Sequence, residues 1–421
     1  LTKPVSPRAP RQAGIGFIFA TALIDVIAMG VMIPVLPNLV RSMVGGDTAV
    51  AADYTMIFAV TWGVMQFVCS PILGMMSDRF GRRPVLLISI FGLGIDYVFM
   101  ALAPTLGWLF VGRVINGITS ASFSTANAYI ADITTPENRA KAFGMMGAAF
   151  GLGFILGPAI GGFLGQYDLR WPFYLSAALA LANWLYGYFV LPESLPKERR
   201  SKTLNWRKAN PVASLDLLTS KPGLFGLASI WFLYQMAHNV FPSIFVLFVG
   251  HRFGWGPAEA ATMLVVMGVV SVVVQVFLVG RAVRVLGERG ALVIGLTCMV
   301  VAFFIYSLAT NPWVFYLGQV VGALGGLSGP ALQSLMAARV EPSEQGRLQG
   351  VNAAMMGICA IIGPAIYLSL LAFAIRQEAT LHLPGLPIMV AGGFCLLALG
   401  LAWRLGIAKT TDAPSIGPAP G

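Results

Sequence analysis

The strongest constraint on this chain is a set of continuous apolar runs, each about 20 residues or longer, that recur from end to end. Twelve can be counted, at about 14–37, 55–76, 85–104, 107–131, 142–165, 171–191, 222–248, 259–280, 290–310, 312–337, 348–374 and 384–405. A helix of roughly 20 residues crosses the ~30 Å hydrocarbon core of a bilayer. The runs lack the polar–apolar alternation of membrane strands, so they predict helices rather than a barrel. Only 10% of the residues are charged, against about 25% in soluble domains, which excludes a soluble globule.

A formal net charge of +10 invites a nucleic-acid reading, but the placement of the cations argues otherwise. With the N-terminus assigned to the cytoplasm, nearly all Lys and Arg fall in cytoplasmic loops, while Arg41, Arg170, Arg252 and Arg376 lie outside. This positive-inside bias predicts that both termini are cytoplasmic, and it makes the charge a topological signal. The first run is long enough to remain as a helix, so no cleavable signal peptide is expected. Cys69, Cys298, Cys359 and Cys395 all sit in apolar runs and show no disulfide or metal spacing.

The second half repeats the first at a constant shift of 206 residues. Gly74 and Gly81 map onto Gly280 and Gly287, Gly112 onto Gly318, and Pro136 onto Pro342. The run "GPAI" at 157–160 recurs at 363–366. The expected architecture is therefore an all-α membrane protein with twelve transmembrane helices in two six-helix bundles. The bundles occupy 1–191 and 222–410, joined by a cytoplasmic linker at 192–221, with a disordered tail at 411–421. Parallel repeats of this kind are one architecture of secondary transporters, with the substrate near the midplane between the repeats.

Three ionisable residues lie deep in the runs: Asp25, Asp96 and Arg113. A charge at mid-bilayer costs about 2.5–3.5 kcal/mol even on lenient scales, so each is a functional candidate. Their repeat equivalents are Trp231, Ala302 and Gln319, so the fold did not need charge at those places twice. We expect Asp25 and Arg113 to form a buried pair, with Asp25 or Asp96 as proton carrier. Polar side chains that suit a substrate cavity are Gln66, Asn116, Asn127, Gln235, His238, Asn239, Gln275, Gln319 and Gln333, with Asn352 beside them. In the fifth run, Gly153, Gly157, Gly161 and Gly165 recur every four residues, and Pro158 can bend the helix. Such a stripe lets another helix approach closely.

The segment "GMMSDRFGRRP" at 74–84 holds more charge than topology alone requires. Its Gly74, Asp78, Arg79, Gly81, Arg82 and Arg83 resemble the cytoplasmic gate motif of the major facilitator superfamily. "GLGFILGPAIGG" at 151–162 resembles the signature of drug–proton antiporters, through Gly153, Gly157, Pro158, Gly161 and Gly162. "PVLPNLV", "SDRFGRRPVLL", "IDY", "AYIADIT" and "ALQSLM" are spaced as in the tetracycline exporters of Gram-negative bacteria. The resemblance implies the major facilitator fold, and Asp78 facing the N-terminus of the eleventh helix when the cytoplasmic side is closed. It also implies proton-coupled antiport by acids at the positions of Asp25 and Asp96, in the inner membrane. Those exporters carry a His and an Asp where this chain has Ser271 and Met299, which leaves tetracycline and a broader amphipathic drug both open.

The expected activity is export of a drug-like solute in exchange for an entering proton, by alternating access. The alternative is a proton-coupled importer of a small organic solute on the same fold. Expected partners are the solute, protons and the lipid bilayer, for a monomer that does not bind nucleic acid. No cofactor, metal or enzymatic chemistry is expected, because no H-E-x-x-H or G-x-S-x-G motif occurs and only three His are present.

Overall fold

A computed structural model of the chain describes residues 13–119, 122–134, 136–201, 213–221, 223–341 and 344–406. No strand occurs among the described residues. In a bilayer every backbone group must be satisfied within its own segment, and the apolar runs accordingly fold as helices.

Among the described residues the longer helices, with the broken ones taken together, group into twelve. The first half comprises α1 (Ala13–Met32), α2 (Thr48–Phe80), α3 (Arg82–Leu102), α4 (Leu106–Thr119 and Ser122–Ile133), α5 (Pro136–Gly165) and α6 (Trp171–Val190). A short helix, Leu36–Met43, follows α1. The second half comprises α7 (Leu224–His238 and Val240–Phe253), α8 (Pro257–Val273), α9 (Gly280–Leu308), α10 (Pro312–Leu324 and Ser328–Ala337), α11 (Gln345–Arg376) and α12 (Leu386–Arg404). A π-helical turn, Val274–Val279, joins α8 to α9. The expected tail at 411–421 lies outside the described residues.

Packing divides the chain into two compact units: Leu1–Ala213 with Val246–Gly268, and Ser214–Phe245 with Val269–Gly421. In the first, Leu86, Ile90, Tyr129, Ile130 and Leu191 form a buried apolar cluster.

The apolar signal of the second run fades near residue 76, yet α2 continues through Asp78, Arg79 and Phe80. The chain reverses at one residue, Gly81, at φ 109°, whose N–H still closes the last turn on the Ser77 carbonyl. A side chain there would also strike the Glu193 carboxylate, so both backbone and space demand glycine. The repeat equivalent, Gly287, has φ 70° and ψ 170° and breaks α9 in the same way.

The glycine stripe of α5 lies against α1. A methyl group at Gly157 would stand 2.6 Å from the Gly30 Cα, and one at Gly153 would stand 2.6 Å from the Val26 Cβ. At Gly161 it would overlap the Val31 carbonyl, and at Gly162 the Ala261 side chain on α8. Backbone is met at two of these points, so rotamer changes cannot relieve the overlap. Gly161→Val is expected to cost at least ~3 kcal/mol, the upper range for overpacking. It should appear as loss of monodisperse protein on detergent gel filtration, with Gly74→Val, where nothing lies within 4 Å, as the tolerated control.

Candidate functional site

The centre of the first unit holds a buried charge cluster. α3 presents Asp96, 0% exposed, and α4 presents Arg113, 5% exposed. Arg113 Nη2 stands 3.1 Å from Asp96 Oδ2. Asn116, one turn along α4, donates from Nδ2 to the same oxygen at 2.6 Å and accepts from Trp62 Nε1 of α2 at 2.7 Å. Three helices are thereby tied through one carboxylate. Arg113 Nη2 also approaches the sulfurs of Met100 at 2.8 Å and Met32 at 3.5 Å. Gly112 makes room for the pair, because a methyl there would sit 2.7 Å from Asp96 Oδ1.

The carboxylate that pairs with Arg113 is therefore Asp96, which corrects the expected Asp25–Arg113 pair. The physical reason is the packing of neighbours: α3 and α4 are antiparallel and adjacent, which sets both ends of the pair at one depth. Asp25, 6% exposed on α1, instead accepts from Asn183 Nδ2 of α6 at 3.2 Å. Asn183 also donates to the Thr21 carbonyl at 3.3 Å.

The cluster is incompletely satisfied. Asp96 Oδ1, Arg113 Nε, Asn183 Oδ1 and Thr21 Oγ1 are buried without a hydrogen-bond partner among the described residues. Buried polar atoms nearly always find one, and such exceptions mark sites that take water or a proton.

The second unit fills the same place without charge. Under the 206-residue shift Arg113 becomes Gln319 and Met100 becomes Tyr306. Tyr306 donates to Gln319 Oε1 at 2.7 Å, and both are buried. Gly318, equivalent to Gly112, again makes room, since a methyl there would sit 3.0 Å from the Tyr306 ring. One packing solution thus holds an ion pair in the first half and a neutral hydrogen bond in the second.

The gate-motif residues form a second network where α2 meets α3. The Arg82 guanidinium reaches Asp78 at 2.5 Å, Ser77 Oγ at 2.7 Å and Asp132 of α4 at 3.1 Å. Arg83 Nη2 donates to the Tyr188 carbonyl at 2.7 Å, and Arg79 lies over the Phe80 ring. The Asp78 side chain is 54% exposed, so its carboxylate remains accessible while paired. The start of the linker is stitched to this network. Glu193 Oε1 accepts from the Arg82 N–H at 2.8 Å, capping α3, and the Ser201 N–H donates to the Asp78 carbonyl at 2.9 Å. A carboxylate at a helix N-terminus is favourable.

The remaining cavity candidates scatter. Gln66 is half-buried, and Gln275 and Gln333 are exposed, Gln275 within the π-helical turn. Asn239 donates to the Gln235 carbonyl at 3.0 Å at the break in α7, and a methyl at Gly363 of α11 would press on Asn239 Cβ. His238 is exposed and packs against the Tyr234 ring at 4.9 Å. Asn352 is buried, while the Asn127 side chain lies outside the described residues. Met299 is buried against Gly325, and Ser271 is half-buried. At the start of α11, Lys221 Nζ reaches Glu344 at 2.7 Å and Glu341 at 3.5 Å. Hydrogen bonding between Lys221 and Glu344 raises the pKa of the lysine and lowers that of the glutamate.

Sequence reasoning missed Asn183, which donates to Asp25, Trp62, which donates to the Asn116 amide that binds Asp96, and Glu193. Asn183 carried a signal, being the one Asn of its apolar run, and Glu193 is an acid opening a basic linker.

The Major Facilitator Superfamily profile matches residues 18–364 and again 227–420. The chain belongs to this superfamily. It is 39% identical over 349 residues to the tetracycline resistance protein, class C, of Escherichia coli, covering 83% of this chain and 87% of that one. The class E protein of the same organism is 37% identical, covering 82% and 84%. Among solved structures, the human organic anion transporter MFSD10 (TETRAN) aligns with a TM-score of 0.68 at 22% identity, over 94% of this chain and 100% of that one. A bacterial homolog of the human lysosomal transporter Spinster aligns with a TM-score of 0.74 at 16% identity, over 98% and 100%. These two likenesses speak for the fold. The superfamily member described here is a multi-pass membrane protein of transporter architecture.

Proposed function

We propose that this superfamily member is a proton-coupled antiporter that exports a drug-like solute by alternating access, with both termini in the cytoplasm of a bacterial inner membrane. The observation that carries the reading is the buried Asp96–Arg113 pair, beside Asp25, in a half whose repeat is neutral at the same places. The relationship to tetracycline resistance proteins, over more than four-fifths of the chain, supports a drug as cargo.

In this reading Asp25 or Asp96 exchanges the coupling proton as hydration and partners change between the two access states. Arg113 Nη2 holds the Asp96 carboxylate at 3.1 Å, so proton exchange at Asp96 accompanies a loosening of that contact. Asp78 supplies the anion of the cytoplasmic gate, oriented by Arg82. The Glu193 cap and the linker hold that corner as one piece. The glycine stripe keeps α1, which bears Asp25, close to α5.

The cargo test is a susceptibility panel in an efflux-deficient bacterium, with and without a protonophore. Met299 is buried against Gly325 and supplies no carboxylate, and Ser271 supplies no imidazole. Lipophilic and cationic drugs are therefore expected to show a several-fold, protonophore-sensitive rise in inhibitory concentration, and magnesium–tetracycline a smaller one. A tetracycline rise exceeding all others would show that a chelate is handled without those two groups. No protonophore-sensitive change for any drug would remove the export reading.

A further inference from the structure

Outside the charge cluster, a cleft of about 580 Å³ lies between the first turns of α3 and the last turns of α6. Ile88, Phe91, Trp184 and Tyr188 form its floor, with Arg83 and Arg200 at one end. We propose that this cleft binds an anionic phospholipid of the surrounding bilayer, its phosphate on the two arginines and an acyl chain along the floor. The inference rests on the membrane-spanning architecture and is independent of the exported solute.

Three observations carry it. The first is that the floor opens to the outer surface of the bundle. Ile88 is 61% exposed, Tyr188 51% and neighbouring Phe189 76%, an extent of exposed apolar surface suited to lipid contact. Aromatic rings at such a level anchor at the interface.

The second is unspent donor capacity. Arg83 gives Nη2 to the Tyr188 carbonyl and lies over the Tyr188 ring, but its buried Nε has no partner among the described residues. Arg200 donates from Nε to the Leu195 carbonyl at 3.3 Å, and its Nη2 stands 3.4 Å from Glu193 Oε2. The Nη1 groups of both arginines make no hydrogen bond among the described residues. Glu193 is the one acid lining the cleft, and its Oε1 is taken by the Arg82 and Leu195 N–H groups. The end of the cleft thus carries a net cation with free N–H groups, which a phosphodiester accepts from well.

The third is the charge of the adjoining chain. The rest of the linker, "KTLNWRKANPV" at 202–212, carries Lys202, Arg207 and Lys208 and no acid. That basic composition adds to the attraction of the linker's side of the molecule for anionic headgroups.

Trp184 reports on the cleft. The full chain would be reconstituted in nanodiscs of brominated phosphatidylglycerol or brominated phosphatidylcholine, mixed with unbrominated lipid. The Trp184 contribution is taken as the difference from Trp184→Phe, because the chain has nine Trp. The expected preference for phosphatidylglycerol is about fivefold at low salt, the ratio for roughly one net cation near a surface. It should shrink at high salt and fall to near one in Arg200→Gln and in Arg83→Gln. Arg200→Gln is the primary variant, because Arg83 belongs to the gate motif. Equal affinity for the two lipids in the wild type, or a preference that survives both substitutions, would overturn the proposal. So would a Trp184 that neither brominated lipid quenches, because no lipid would then lie in the cleft.

Discussion

Arg113→Leu is expected to cost about 3–5 kcal/mol of folding stability, Asp96→Asn somewhat less, and the double variant much less than their sum. Removing one partner of a buried ion pair leaves an uncompensated charge, whereas removing both with groups of similar volume is often close to neutral. Asp96 is 0% exposed, and its other donor is the neutral Asn116, so ionised Asp96 without Arg113 has no charge partner at hydrogen-bonding distance among the described residues. Asp96→Asn keeps the shape and leaves Arg113 against the sulfurs of Met32 and Met100. The second half is a natural precedent for the neutral solution, because Tyr306 and Gln319 hold the equivalent helices together with one hydrogen bond. The measurement is a double-mutant cycle on unfolding in lipid nanodiscs, run beside proton-driven export from vesicles. We expect a coupling energy of at least ~2 kcal/mol, and a double variant that folds but does not export uphill. Uphill export by the double variant at the wild-type rate would reduce the pair to a structural tie.

Much of this architecture could be read from residues because the bilayer leaves few options. Continuous apolar runs must be helices, and a constant 206-residue shift that preserves Gly and Pro implies a duplicated bundle. Asp25, Asp96 and Arg113 stood out because charge in hydrocarbon is costly enough to need a reason. Their pairing was not legible. Two acids on different helices compete for one guanidinium, and which of them meets it depends on helix rotation, which uniformly apolar runs do not encode. Asn183 escaped attention for a related reason: a single amide in a membrane helix costs little and usually serves packing. The one-residue reversal at Gly81 was hidden by the polarity of Asp78, Arg79 and Phe80's neighbours. Hydropathy ends there, while the helical hydrogen bonds run on to the Gly81 N–H.

Asp25→Asn is expected to abolish uphill export, by at least ~100-fold, with the fold retained. The substitution is nearly isosteric, and the amide oxygen can still accept from Asn183 Nδ2, now at 3.2 Å from the carboxylate. What disappears is the exchangeable proton and the negative charge. Asp25 and Asp96 then differ in a way that can be measured. Asp96 is bound by a cation, and its neutralisation strands Arg113. Asp25 accepts from the Asn183 amide, a hydrogen bond that the asparagine oxygen can keep, so the substitution should spare stability. The experiment is transport by proteoliposomes in two modes: accumulation driven by an imposed proton gradient, and exchange of labelled for unlabelled solute without one. A coupling acid is required for the first and dispensable for the second, because exchange needs only the solute-bound carrier to reorient. Loss of accumulation with exchange preserved would place the coupling proton on Asp25. Loss of both would make Asp25 a requirement for binding or reorientation. Accumulation at the wild-type rate would leave Asp96, held between Arg113 and Asn116, as the acid that must carry the proton.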